Sequence, residues 1–124
     1  MKPDISTRED IVLLVNTFYD KVKANALIGY IFNDVAKVNW QEHLPKMYSF
    51  WASMLLDEHS YSGNPMIKHI ELSKITKLTK VEFSEWLRLF NETVDELFEG
   101  TTANEAKARG ANIARLMLYK IQSV

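Results

Sequence analysis

The sequence predicts an all-α fold, and three features of it carry that prediction. Apolar residues return at intervals of three and four along every long segment, the period that gathers them on one face of a helix. Hydroxyl or amide residues with an acid three positions later, the usual helix-start signature, precede several of these segments. No stretch shows the alternation of a strand, and neither an internal repeat nor a low-complexity tract interrupts the pattern. With 124 residues, the chain is expected to form a single domain over residues 1–124.

The first segment places Ile11, Leu14, Val15, Phe18, Tyr19 and Val22 on one face. Both Ser6 with Glu9 and Thr7 with Asp10 have capping spacing, so the start is well marked although its first residue is not, and Asn25 falls near the end. A short turn or helix is expected through Leu27–Phe32, with Gly29 as its weak spot. The next helix, over about residues 40 to 56, shows Trp40, His43, Met47, Phe50, Trp51, Met54 and Leu55 on one side, with Asn39 and Glu42 spaced as a capping box. Pro45 costs about 3 kcal/mol deep inside a helix but less near the N-terminus, where early amides lack partners anyway; a kink is expected there. Ser60–Pro65 is loop chemistry, and Pro65 suits the first position of a short helix, Met66–Leu72. Thr79 and Glu82 open a helix with Phe83, Trp86, Leu87, Phe90, Val94, Leu97 and Phe98 inward, closed by Gly100 in a left-handed cap. Thr102 and Glu105 are expected to cap a last helix presenting Ala106, Gly110, Ile113, Met117 and Ile121.

Composition narrows the function. Hydrophobic residues make up 47% and charged residues 25%, the range of an ordinary globular protein. A net charge of −1, with no basic run, argues against a nucleic-acid partner. Without cysteine there are no disulfides, thiolate nucleophiles or Cys-based metal sites. The first apolar stretch, Ile11 to Val15, is too short for a signal-peptide core, and no run approaches a membrane span, so a cytoplasmic location and no membrane partner are expected. Gly29, Gly63, Gly100 and Gly110 stand too far apart for a phosphate loop; neither His43 nor His69 follows a Glu by three, as di-iron helices require, and no His-Glu-x-x-His zinc helix occurs.

The informative residues are ionisable or polar groups on faces that should be buried. His43 shares a stripe with Trp40, Met47 and Trp51, and His69 lies between Ile67, Ile70 and Leu72. Each alone would suit a core histidine bonded to a carbonyl; two in one small core raise the question of a metal, since imidazole is the commonest nitrogen ligand and the usual proximal ligand of haem iron. Tyr19 and Trp86 also lie on apolar faces, where core packing is the default, yet a buried phenol or indole N–H needs a hydrogen-bond partner. Convergence of Tyr19, His43 and Trp86 would make the polar spot in an aromatic core that a diatomic ligand requires. Lys46 and Lys68, close in sequence to the two histidines, suit salt bridges to a carboxylate at a pocket mouth. His59, in a polar helix end, reads as a surface residue, and the methionines suit flexible core filling as well as lining a cofactor.

Taken in order, Phe18-Tyr19, Ile31-Phe32-Asn33, His43 with Phe50-Trp51, Pro65-Met66-Ile67-Lys68-His69 and Glu85-Trp86-Leu87-Arg88-Leu89-Phe90 resemble the third group of truncated haemoglobins, from about residue 8 to 121. The lack of adjacent glycine pairs agrees with that group. The resemblance implies a two-over-two helical sandwich around haem b (iron protoporphyrin IX), with His69 as the proximal iron ligand and Tyr19, His43 and Trp86 around the bound ligand. It further implies Phe32 packed on the haem, Lys46 and Lys68 near its propionates, and Met47, Trp51, Met66 and Leu72 lining the ring. Pro45, just after the distal histidine position, departs from the pattern.

Three candidate donors suit a retentive pocket better than an oxygen carrier, because each net hydrogen bond contributes about 0.5–1.5 kcal/mol to ligand affinity. The expected function is binding of O2 and other diatomic ligands at ferrous iron for redox chemistry, with NO or peroxide as co-reactant and a separate electron-donating reductase as partner. Two other classes remain open at this point, a haem-free all-α interaction module and a haem-based gas sensor. A third variant is six-coordinate iron, with His43 as a second ligand.

Overall fold

A computed structural model describes residues 2–35, 39–56 and 78–122, all of them helical or connecting segments. Four α-helices and a short π-helix make up the described chain: α1 (Arg8–Ala24), the π-helix Ile31–Val35, α2 (Trp40–Leu55), α3 (Lys80–Leu97) and α4 (Thr101–Gln122). α1 packs on α2 and on α3, α3 packs on α4, and α2 touches α4. The loop expected at 60–65 and the short helix expected at 66–72 lie outside the described residues.

α1 starts where local chemistry dictates. Thr7 is its N-cap: the Thr7 hydroxyl accepts from the Asp10 amide at 3.2 Å, and the Asp10 carboxylate accepts from the Thr7 amide at 3.0 Å. Of the two spacings seen in the sequence, Thr7/Asp10 forms the box, while Ser6 donates to the same Asp10 carboxylate from outside. The predicted apolar face is the buried one, Ile11, Leu14, Val15, Phe18, Tyr19 and Val22. Asn25 caps the C-terminus in extended conformation, and its side-chain oxygen accepts from the Leu27 and Ile28 amides, turning the chain sharply. Gly29 is no weak spot. A Cβ there would stand 2.8 Å from the Lys23 carbonyl oxygen and 3.0 Å from that of Val22, so its bare backbone is what lets the chain fold back against the end of α1.

α2 runs through Pro45 as one helix. Asn39 caps it by accepting from the Gln41 amide at 3.1 Å; the reciprocal bond from Glu42 that would complete a box is not formed among the described residues. α3 opens with the predicted Thr79/Glu82 box. Its buried residues are shifted from the sequence stripe: Leu89 and Thr93 join Phe90 and Val94, while Phe83, Trp86, Leu87 and Leu97 are only partly buried, and the Thr93 hydroxyl is satisfied by donating to the Leu89 carbonyl at 2.7 Å.

The junction of α3 and α4 differs from expectation. Phe98, not Gly100, caps α3. Gly100 has φ +137° and leads directly into α4, its carbonyl accepting from the Asn104 amide. Nor does Thr102 cap α4. The cap is Asp4, whose carboxylate accepts from the Thr102 amide at 3.0 Å and the Ala103 amide at 2.8 Å from a segment 98 residues away. Desolvation pushes the Asp4 carboxyl up, but the amides of Thr102, Ala103 and Ile5 outweigh it and hold the pKa below its ordinary value. Ile5 follows Asp4 into the core, a residue outside any periodic stripe. On the far side, Gly110 lets α4 approach α3 closely, since a Cβ would meet the Phe90 ring at 3.0 Å.

Candidate functional site

The C-terminal half of α1 and the first turns of α2 meet around a cluster of rings. Phe18 and Tyr19 are consecutive on α1, with ring centroids 4.9 Å apart, so they open onto two adjoining neighbourhoods. Tyr19 contacts His43 of α2 at 5.4 Å and 82°, an edge-to-face arrangement. Tyr19 also meets Trp40 at 5.4 Å and Phe32 of the π-helix at 6.1 Å. Trp40 in turn stands 5.6 Å from His43 and lies stacked 6.1 Å from Phe32. Phe18 leads the other way, to Trp86 at 5.4 Å and Phe90 at 5.3 Å, both edge-on. Trp86 stacks on Phe90 at 5.7 Å with the rings 3° from parallel, and Trp51 stacks on Phe90 at 4.7 Å.

The structure therefore brings Tyr19, His43 and Phe32 into one cluster and sets Trp86 one ring further along, through Phe18. Trp51 is buried against Phe90. Met47 is partly buried against the core on the same helix as His43, and Lys46, next to it, is exposed. His69, Met66, Lys68 and Leu72 lie outside the described residues, as do His59 and Tyr61. Trp40 is the residue that sequence reasoning placed on the right stripe and then passed over. Its position three residues before His43 on one helical face was the available signal.

Two electrostatic features fix what these groups can do. Tyr19 is only 5% exposed, and desolvation raises its phenol well above the ordinary value, so it remains a neutral O–H donor at physiological pH. The Nε2 atom of His43 is buried as well. A fully apolar core would not place a phenol and an imidazole edge to edge without some use for their polar atoms.

A third feature concerns packing. α1 buries its whole apolar face, whereas of all the residues of α2 only Trp51 and Ala52 are buried. Trp40, Leu44, Met47, Phe50 and Met54 stop at partial burial against the core, as do Phe32 and Trp86 from other elements. Such a face, apolar, aromatic and incompletely covered, with a neutral donor and an imidazole beside it, fits a flat apolar macrocycle. Among the described residues no three His, Cys, Asp or Glu side chains cluster as a metal site. No described helix is long and apolar enough to cross a membrane.

Helices with α1 packed on both α2 and α3 and α3 packed on α4, around an aromatic cluster that holds an imidazole, have a globin-like arrangement. Comparison with known proteins makes the assignment definite. Residues 4–118 match the family model for bacterial-like globins, and the chain belongs to that family. It is similar to the group 3 truncated hemoglobin of Campylobacter jejuni, with 36% identity over 127 aligned positions covering 97% of each chain. Its structure superposes on the crystal structure of a group III truncated hemoglobin from Campylobacter jejuni with a TM-score of 0.84 and 31% identity, covering 98% of this chain and 95% of that one. The all-α truncated globin fold and the third-group resemblance read from the sequence both stand, and family membership implies that the chain binds haem.

Proposed function

We propose that this chain holds haem b against the incompletely buried face of α2 and uses it to bind O2 or another diatomic ligand for reaction with NO or peroxide, with electrons from a separate reductase. The observation that carries this reading is the pairing of Tyr19 and His43, a buried neutral donor and a buried imidazole nitrogen, in edge contact inside an aromatic cluster. When bound, the haem supplies the ferrous iron at which such ligands bind and exchange electrons.

The residues of the chain divide the remaining work. His69 is the proposed iron ligand, with Met66, Leu72 and Lys68 around it. Tyr19, His43 and Trp86 are the proposed ligand-side donors. Tyr19 keeps its proton throughout the physiological range and can donate or accept, Trp86 only donates through its indole N–H, and His43 does either according to tautomer. Phe32 and Met47 are the proposed apolar wall, with Trp51 packed behind it, and they exclude water, which strengthens each donor's pull on a ligand carrying partial negative charge. Lys46 is the proposed propionate partner on this side, and it is exposed.

Oxygen dissociation rates test the donor assignment. Tyr19→Phe and Trp86→Phe are each expected to speed release about two- to tenfold, the equivalent of one net hydrogen bond. Unchanged rates in both variants would refute a donor network. Steady oxygen carriage without NO or peroxide turnover, in the presence of a reductant, would contradict the reaction class.

A further inference from the structure

We propose that Lys23 and Trp40 form a latch that positions the His43 imidazole against Tyr19. The inference rests on the reading of Tyr19 and His43 as ligand-side groups.

The Lys23 ammonium lies over the Trp40 ring, 5.0 Å from its centroid. That is within the range in which a cation is held by the negative face of an indole, the strongest aromatic partner. Trp40 is the first residue of α2, and its ring touches Tyr19 of α1. The same ring contacts Tyr19, His43 and Phe32 together. No other ring among the described residues touches both members of the Tyr19–His43 pair.

The backbone around Lys23 is unusually well held for a helix end. Asn33 donates its side-chain amide to the Lys23 carbonyl at 3.2 Å, and the Gly29 backbone packs against the same carbonyl. Asn25 fixes the turn that follows and reaches across to Glu85 of α3 at 2.7 Å. Asp20, one helical turn earlier, pairs with Lys23 at 3.5 Å and is 74% exposed, so it orients the ammonium without drawing it off the ring. The side chain of Lys23 is about one-third exposed, 36%, which shields the cation partly from water. A fixed cation thus pins a ring, and the ring pins an imidazole three residues further along one helical face.

Lys23 and Trp40 are positioning residues in this account; neither is assigned contact with a ligand. Removal of the cation frees the first turn of α2 and lets the His43 ring rotate away from Tyr19. Retention of a cation with a different shape preserves the arrangement, because Arg also binds an indole face.

The test compares Lys23→Met, which keeps the apolar stem, with Lys23→Arg, which keeps the charge, and with Asp20→Asn, which removes only the ion pair. The first readout is the proton NMR spectrum of the His43 ring, resolvable because the chain has 3 histidines. Ring currents from Trp40 and Tyr19 displace its resonances from those of an exposed imidazole. Lys23→Met is expected to return them toward exposed values, while Lys23→Arg and Asp20→Asn keep them in place. The second readout, on the carbonmonoxy and oxy forms, is the C–O stretching frequency and the O2 dissociation rate. Lys23→Met is expected to broaden or shift the stretch and to speed release about two- to fivefold, the size of a cation–π contact, with Lys23→Arg restoring both. An unchanged His43 spectrum in Lys23→Met overturns the latch whether or not the protein carries haem. Failure of the unsubstituted protein to take up hemin overturns the haem reading alone and leaves the His43 spectrum to decide the latch.

Discussion

The two ends of the helical pair α1–α2 are built differently. At the N-terminal end of α1, the chain ties itself to α3 and α4 with polar bonds that leave little freedom. Asp4 caps α4, the Pro3 carbonyl accepts from the Glu99 amide at 3.0 Å, the Lys2 amide donates to Glu99, and Ile5, Ile11, Val94 and Phe98 are buried beneath them. At the C-terminal end of α1, where Tyr19 and Lys23 face the start of α2, rings meet rings and the apolar surface of α2 is only partly covered. A region that packs completely on itself serves stability. A region whose large apolar side chains stop short of burial, around a phenol and an imidazole, is where the proposed cofactor would sit.

Substitutions should separate the two regions by size of effect. Leu14→Ala, at a position with no exposure, is expected to cost about 2–5 kcal/mol in urea or thermal unfolding, whether or not haem is present. Asp4→Ala removes the acceptor of two α4 amides and should cost about 1–2 kcal/mol by the same measurement, the usual range for a lost helix cap. Met47→Ala, on the half-covered face, should cost about 1 kcal/mol or less without haem and should instead weaken haem retention. Equal losses for Leu14→Ala and Met47→Ala in haem-free protein would erase the distinction between the regions.

Only strong acid should reach the carboxylates that hydrogen bonds hold. Hydrogen bonds from Arg88 and Asn25 hold the Glu85 carboxyl at a pKa of about 2, against an ordinary value of 4.5, and Asp4 and Asp10 are lowered by backbone amides despite desolvation. Because these groups bind protons more weakly when folded, their contribution is fully present above about pH 4.5 and is lost as pH falls toward 2. Glu85→Gln is expected to flatten that decline in acid-unfolding curves. Arg88 is exposed and solvent screens the pair, so the change should be the smallest of those named here.

How much of this was legible in the sequence follows from how local each interaction is. The Thr7/Asp10 and Thr79/Glu82 boxes and the buried face of α1 depend on residues within a few positions of each other, and they formed as predicted. The cap of α4 comes from Asp4, which no window around Thr102 contains, so the local Thr102/Glu105 signal misled. Gly29 and Gly100 looked like breaks or caps because a sequence shows their flexibility but not the carbonyls and carboxylate pressed against them. At the site, Tyr19 and His43 were identified from polar character on an apolar face and Phe32 through the family resemblance, and Tyr19 contacts both of the others. Trp86 lies one ring away, and the part of Trp40 went unseen because its importance comes from Lys23, on another helix, rather than from its own stripe.

Haem held through His69 is proposed to complete the α2 face. Titration of the freshly prepared protein with hemin, followed by absorption in the Soret region, tests it most directly. The unsubstituted chain should saturate at one hemin per chain and give a sharp Soret band, His59→Ala should do the same, and His69→Ala should not retain the cofactor. A protein that stays colourless with excess hemin, or a His69→Ala variant that binds it as tightly as the parent, would contradict the account.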